Sequence, residues 1–181
     1  RGKSIPNVAA GKDPLVKKRK GKDKSSSKDE KKSELVELIN ACGTGIEPDF
    51  NIDGIRYGKI IICPDADADG RHIATIIMVA FLKLMPEIIK RGFLYVADMP
   101  LYGIRKKDSF IPVYTEEELG KYKQGKDHII RFKGLGEMNS EQLELCLLNT
   151  KIRRLIQIKY PDDPDSIFKL MVDSSLKRKL V

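Results

Sequence analysis

Residues suited to redox, disulfide or imidazole chemistry are scarce in this chain, which has only two histidines and three cysteines in 181 residues. Cys42, Cys63 and Cys146 are odd in number and far apart, which excludes a disulfide framework and a zinc-type ligand spacing. They read as reduced, mostly buried thiols of a cytosolic protein. The longest run of apolar type, residues 73–82, is ten residues long, about half of what a membrane-spanning helix needs. No signal peptide and no internal repeat is visible. These absences lead us to expect a soluble, cytoplasmic protein with no membrane partner. The chain begins with Arg1 instead of Met, so we expect a fragment, a processed chain or a trimmed one.

The formal charge of +8 invites a nucleic-acid partner, but it is unevenly placed. Residues 11–33 hold ten basic side chains against four acidic ones, whereas residues 34–181 hold 22 of each sign. The foldable part is therefore neutral, and bulk charge says little about what it touches. Segment 10–33 contains Lys17-Lys18-Arg19-Lys20 and Ser25-Ser26-Ser27 and has no apolar periodicity, so it reads as a disordered insert. It can meet phosphates by counterion release or serve as a solvated tether, and composition favours the tether.

What the chain does have is Asp65-Ala66-Asp67-Ala68-Asp69-Gly70, directly after the apolar run Lys59-Ile60-Ile61-Ile62-Cys63-Pro64. Carboxylates crowded this closely repel one another by roughly 1 kcal/mol per pair at 4 Å even in water. Such a cluster at a strand end points to a cation, and an oxygen-only ligand set points to Mg²⁺ before Ca²⁺ or a transition metal. An EF-hand calcium loop shares the Asp-x-Asp-x-Asp-Gly opening but needs a Glu at its twelfth position, which is Ile76 here. It also needs a preceding helix, where this chain has a β-branched strand. A solvated acidic turn is the remaining alternative.

Around the cluster the pattern predicts a helix over 33–41, a strand over 56–63, a helix over 72–84, a turn from Pro86 to Gly92 and a strand over 93–97. Strand, helix and strand in that order make a crossover unit with parallel strands. Ligands of such sheets sit beyond the carboxyl ends of the strands, where the acidic cluster falls. Beyond Pro100 the pattern predicts a hairpin of 102–107 with 110–114, a capping box at Thr115-Glu116-Glu117-Glu118 and a strand over 128–132. A helix capped by Asn139, a strand over 154–159 and a last helix over about 165–179 complete the expectation.

Several motifs in order carry a family resemblance: Arg1-Gly2-Lys3-Ser4-Ile5-Pro6-Asn7-Val8, Ala41-Cys42-Gly43-Thr44-Gly45, the Asp65 cluster with His72-Ile73, and Met85-Pro86-Glu87-Ile88. Arg91-Gly92, Pro100-Leu101-Tyr102 and Arg131-Phe132-Lys133-Gly134-Leu135-Gly136-Glu137-Met138-Asn139 follow. Together these resemble the C-terminal half of the B-type subunit of bacterial and phage type IIA DNA topoisomerases, gyrase B and its topoisomerase IV counterpart. The resemblance implies an α/β fold, a TOPRIM-type parallel sheet flanked by helices, with an α+β C-terminal tail region. It divides the chain into a TOPRIM segment over 1–9, the insert over 10–33, the TOPRIM domain with its hairpin and Gly-rich turn over 34–138, and tail helices over 139–181.

The resemblance further implies part of an ATP-dependent type II topoisomerase. Asp65 and Asp67 would be catalytic Mg²⁺ ligands and Asp69 a supporting ligand. ATP would be bound elsewhere in the complex. The implied partners are double-stranded DNA, an A-type subunit carrying the attacking tyrosine, and an N-terminal ATPase and TOPRIM part carrying a further metal-ligating glutamate. That glutamate belongs to a Glu-Gly-Asp-Ser-Ala motif, which this sequence does not contain. Arg71 and Ala74 also depart from the family pattern, with Arg71 offering a compensating phosphate contact.

Arg1, Lys3, Arg71, His72 and Lys133 are the candidate DNA contacts. Two readings stand for most of them: Arg1 and Lys3 as phosphate ligands or surface charge, His72 as a phosphate ligand or a packed side chain. Lys133 with Arg131 either lines the DNA path or belongs to a turn that needs Gly134 and Gly136 for backbone freedom. Tyr102 reads as a packed residue, not a nucleophile. Rival functions are a non-catalytic DNA-binding or assembly component, and a TOPRIM nuclease or primase fragment. The segments at Pro100 and Lys133 argue against the nuclease and primase.

Overall fold

The computed structural model describes residues 34–106, 109–122 and 128–167. The expected TOPRIM segment 1–9, the insert 10–33 and most of the helix expected near 165–179 lie outside the described residues. The chain forms two compact units, each discontinuous in sequence. The second consists of Lys59–Thr75 and Gly92–Ile158, and the first takes the remainder.

In the first unit, α1 (Glu34–Cys42) buries Leu35, Ile39 and Cys42, positions four and then three apart on one helical stripe. Gly43 ends it at φ 81°, a left-handed backbone that glycine adopts without penalty. A Cβ there would also lie 2.6 Å from the Gly54 carbonyl oxygen. Phe81, Met85, Ile88 and Ile89 are fully or almost fully buried in this unit. The buried Thr44 hydroxyl donates to Met85 Sδ at 3.8 Å. The turn expected from Pro86 is α3 (Pro86–Lys90), with the proline at its first position.

In the second unit, β1 (Ile60–Ile62) pairs in parallel with β2 (Leu94–Asp98), Ile60 opposite Leu94 and Ile62 opposite Val96. The expected parallel pair is therefore present, and the α/β class with it. A third strand, β6 (Arg154–Gln157), joins the other edge of β2 antiparallel, Asp98 opposite Arg154. β1 is shorter than the 56–63 expected because Arg56 spends its N–H on the Cys42 carbonyl at 3.2 Å, and pairing begins only after Gly58. Ile60 N–H then donates to Phe93 O at 2.8 Å.

A second sheet of order β4-β3-β5 is wholly antiparallel: β3 (Tyr102–Lys106) sits between β4 (Ser109–Val113) and β5 (His128–Arg131). Gly103 makes room for Phe110, whose ring packs on Phe132 at 6.1 Å between centroids. Ala97, Met99, Phe132, Met138 and Cys146 form one core cluster of this unit, with Ala66 and Leu135 packed against it. Each large apolar side chain so buried is worth about 1.5–3 kcal/mol.

The expected capping box at Thr115 is half formed at the start of α4 (Glu116–Gly120). Thr115 Oγ1 accepts from Glu118 N–H at 3.1 Å, but the Glu118 carboxylate accepts from Tyr114 N–H at 2.8 Å. The box at Asn139 is complete, opening α5 (Ser140–Leu143) with reciprocal bonds of 2.9 Å to Gln142. The helix continues as one π turn over Glu144–Leu148, which places Cys146 in the core.

Candidate metal centre

Because β1 and β2 run parallel, their carboxyl ends share one edge, and the chain leaves β1 there through Cys63 and Pro64 into the acidic turn. α2 (Ala68–Leu84) starts four residues earlier than the periodicity predicts. The reason is Asp67, whose Oδ1 accepts from Gly70 N–H at 2.7 Å and whose carbonyl accepts from Arg71 N–H at 3.2 Å. Those are the bonds of a helix N-cap. Gly70 lies inside the first turn, and a Cβ on it would stand 2.2 Å from the Asp65 carbonyl oxygen. Asp69 is exposed in the same turn, where a carboxylate complements the helix dipole.

Asp65 is half-buried, and its Oδ1 accepts from Leu135 N–H at 2.7 Å, a bond across 70 positions of sequence. Leu135 opens a 3-10 turn, Leu135–Glu137, closed at its base by Lys133 N–H donating to Glu137 Oε2 at 2.8 Å. The expectation that Gly134 and Gly136 supply backbone freedom is not met. Gly134 is extended at φ −165°, a conformation open to any residue, and Gly136 is not among the glycines of positive φ. Gly134 serves by its missing side chain: a Cβ would lie 3.2 Å from Asp65 Cγ and from both carboxylate oxygens. No neighbour crowds Gly136.

Of the other candidate residues, Arg71 folds back so that Nη1 donates to the Ala66 carbonyl at 3.0 Å, bracing the acidic turn. His72 and Lys133 are exposed, and Arg1 and Lys3 lie outside the described residues. The structure thus brings Asp65, Asp67, Arg71 and the Lys133 turn into one neighbourhood. Tyr102 is buried, and its hydroxyl bonds the Glu116 carboxylate, in keeping with a packed role.

The donor chemistry fits Mg²⁺. Asp65 and Asp67 each commit Oδ1 to a backbone N–H and keep a second oxygen. A side chain at Gly134 would crowd the Asp65 carboxylate, and glycine leaves that side open. Among the described residues no three His, Cys, Asp or Glu side chains converge as a ready cage. Mg²⁺ is usually bound by one or two carboxylates and keeps several waters, whereas Ca²⁺ takes six to eight oxygens.

Sequence reasoning missed Leu135 and Glu137 as parts of this neighbourhood. Glu137 stands four positions after Lys133 around two glycines, a local signal for a closed turn, but nothing local couples that turn to Asp65. It also missed a charged network at the end of β2. Arg154 bonds Glu118 at 3.2 Å and lies 3.7 Å over the Tyr114 ring. Burial raises the Asp98 pKa, opposed by Arg154, and pushes Tyr114 up to about 12. Burial likewise pushes the Cys146 thiol to about 11, that of an inert core residue.

Comparison with known proteins bears directly on this arrangement. Residues 124–180, which include the Lys133 turn, α5 and β6, match the family described as DNA gyrase B subunit, carboxyl terminus. The B-type subunit of DNA topoisomerase 4 from Mycoplasma capricolum is 44% identical over 157 residues, covering 83% of this chain and 24% of that protein. The DNA gyrase B protein of Thermotoga maritima is 40% identical over 159 residues, 83% of this chain and 25% of its own. By sequence this chain is homologous to the C-terminal part of the B-type subunits of type IIA topoisomerases.

The DNA gyrase B protein of Staphylococcus aureus adds 37% identity over 154 residues, 81% of this chain and 24% of that protein. The chain spans about a quarter of the length of the curated relatives it matches. A contiguous match over 83% of 181 residues necessarily includes both the Asp65 cluster and the Lys133 turn. No helix among the described residues is long and apolar enough to cross a membrane.

Proposed function

We propose that this chain is one part of an ATP-dependent type II DNA topoisomerase, a TOPRIM-type region that presents metal-binding aspartates to the DNA strands being cut and rejoined. The observation that carries the reading is the Asp65 carboxylate, fixed at the carboxyl edge of the β1–β2 pair by Leu135 N–H and left open on one side by Gly134. Mg²⁺, when bound, supplies positive charge to the phosphate oxygens on which charge develops during strand transfer. Asp65 and Asp67 would hold it through their second carboxylate oxygens, with Asp69 supporting from the first helical turn. A set this small holds the ion weakly by itself, with water completing its shell; a further ligand that strengthens the site we assign to another part of the enzyme, together with the ATP site.

Asp67 has two tasks in this reading. It caps α2 through one oxygen and holds the cation through the other, so the ligand is as rigid as the helix. Arg71 keeps the turn in shape through Ala66, while His72 and Lys133 are exposed beside it and would take DNA phosphates. Arg1 and Lys3 are assigned the same role. The partners are double-stranded DNA and an A-type subunit that contributes the attacking tyrosine, acting on DNA in the cytoplasm.

The test is Asp67→Asn in the enzyme reconstituted with its partner chains. Asn keeps an oxygen for the Gly70 cap, so assembly and folding persist, while the anionic ligand is lost. Mg²⁺-dependent DNA cleavage is expected to disappear; cleavage at the unaltered rate would refute the assignment.

A further inference from the structure

The Lys133 turn is exposed between two anchors. Phe132 is 4% exposed and its N–H donates to Leu101 O at 2.9 Å; Met138 is 8% exposed and packs in the same core. Between them lie two glycines, residues that lose more conformational freedom on ordering than any other. One side chain clamps the segment to itself: Glu137, whose Oε2 accepts from Lys133 N–H at 2.8 Å. Backbone bonds from Glu137 N–H to Gly134 O at 3.1 Å and from Met138 N–H to Leu135 O at 3.2 Å complete the turn. The turn delivers the Leu135 N–H to Asp65 Oδ1.

We infer that Glu137 is a positioning residue for the metal centre, acting through the Leu135 N–H on the orientation of the Asp65 carboxylate. The inference rests on the metal reading above. With Oδ1 held by Leu135, the second oxygen is the one available to a cation, and the carboxylate cannot rotate without breaking that bond. Loss of a partner that orients a ligand typically weakens metal binding tenfold or more. The role depends on the reach of the Glu137 side chain and on an acceptor oxygen, not on its charge.

Two variants separate reach from charge. Glu137→Gln keeps length and an acceptor oxygen but no charge; Glu137→Asp keeps the charge and loses a methylene of reach. The ¹⁵N-labelled full chain is titrated with Mg²⁺ alone while the amide resonances of residues 65–70 and Leu135 are followed, and hydrogen exchange at Leu135 is measured in parallel. Glu137→Gln is expected to bind Mg²⁺ as the unaltered chain does. Glu137→Asp is expected to bind about tenfold more weakly, with faster exchange at Leu135 and unchanged protection in β2 and β6. The reverse ranking, or equal binding by all three proteins, overturns the inference. If the unaltered chain itself shows no Mg²⁺ response at 65–70, the metal reading fails and the inference falls with it, an outcome distinct from failure of the variants alone.

Discussion

Replacing Gly70 with alanine sets two forces against each other, and the structure decides between them. Gly70 lies in the first turn of α2, and its φ is not positive, so helix propensity alone predicts a gain of about 1 kcal/mol for Ala. The added Cβ, however, would stand 2.2 Å from the Asp65 carbonyl oxygen and 2.7 Å from its carbonyl carbon and amide nitrogen. All three are backbone atoms, so no rotamer change relieves the contact. The acidic turn has to move by more than about 1 Å, a distance judged from ordinary van der Waals separation.

Forced expansions of this kind cost about 1–3 kcal/mol, and a backbone-on-backbone clash belongs at the upper end. The net expectation is a loss of about 2 kcal/mol once the propensity gain is subtracted. With a urea dependence of about 2 kcal/mol/M, the denaturation midpoint should fall by about 1 M. Gly136→Ala is the control, since no atom lies within 4 Å of its Cβ; it should be neutral or stabilising by about 0.4–1 kcal/mol. A Gly70→Ala midpoint at or above the unaltered value would show that the turn yields freely, and would remove the argument that Asp65 is rigidly placed.

Other perturbations are more local. Asn139→Ala removes the side-chain acceptor of the Gln142 N–H while the backbone N–H at 139 keeps its bond to Gln142 Oε1, and should cost about 1 kcal/mol, read as a lower thermal midpoint. Glu118 has its pKa lowered, first by the Tyr114 N–H and then by Arg154. Its contribution is therefore fully present above the ordinary carboxylate pKa and lost as pH falls through the depressed folded value. Glu118→Gln should flatten that acid limb in denaturation midpoints measured across pH, and an unchanged limb would remove Glu118 from the account.

Elements whose signals are local were legible in the sequence. The stripe of Leu35, Ile39 and Cys42, Asn139 followed three positions later by Gln142, and the run of three isoleucines before the acids each declare themselves within a few residues. The crowding of three carboxylates just after the apolar run was legible for the same reason. Three things were not. Asp67 starts α2 early because its side chain caps the helix, a use of the same residue that the ligand reading does not predict. Gly134 is needed for a contact with a residue 69 positions away, and local sequence shows only a glycine. The antiparallel arrival of β6 on β2 is set by tertiary pairing, since a short strand pattern does not state its direction.

That pairing also has a bearing on how the protein is made. Asp98 meets its register partner Arg154 only after the ribosome has added 56 further residues. At translation rates of 5–20 residues per second, β2 waits roughly 3–11 s with one side open. During that interval a stretch rich in Val, Tyr and Leu offers unpaired backbone to any neighbouring nascent chain, and a chaperone has its best opportunity there.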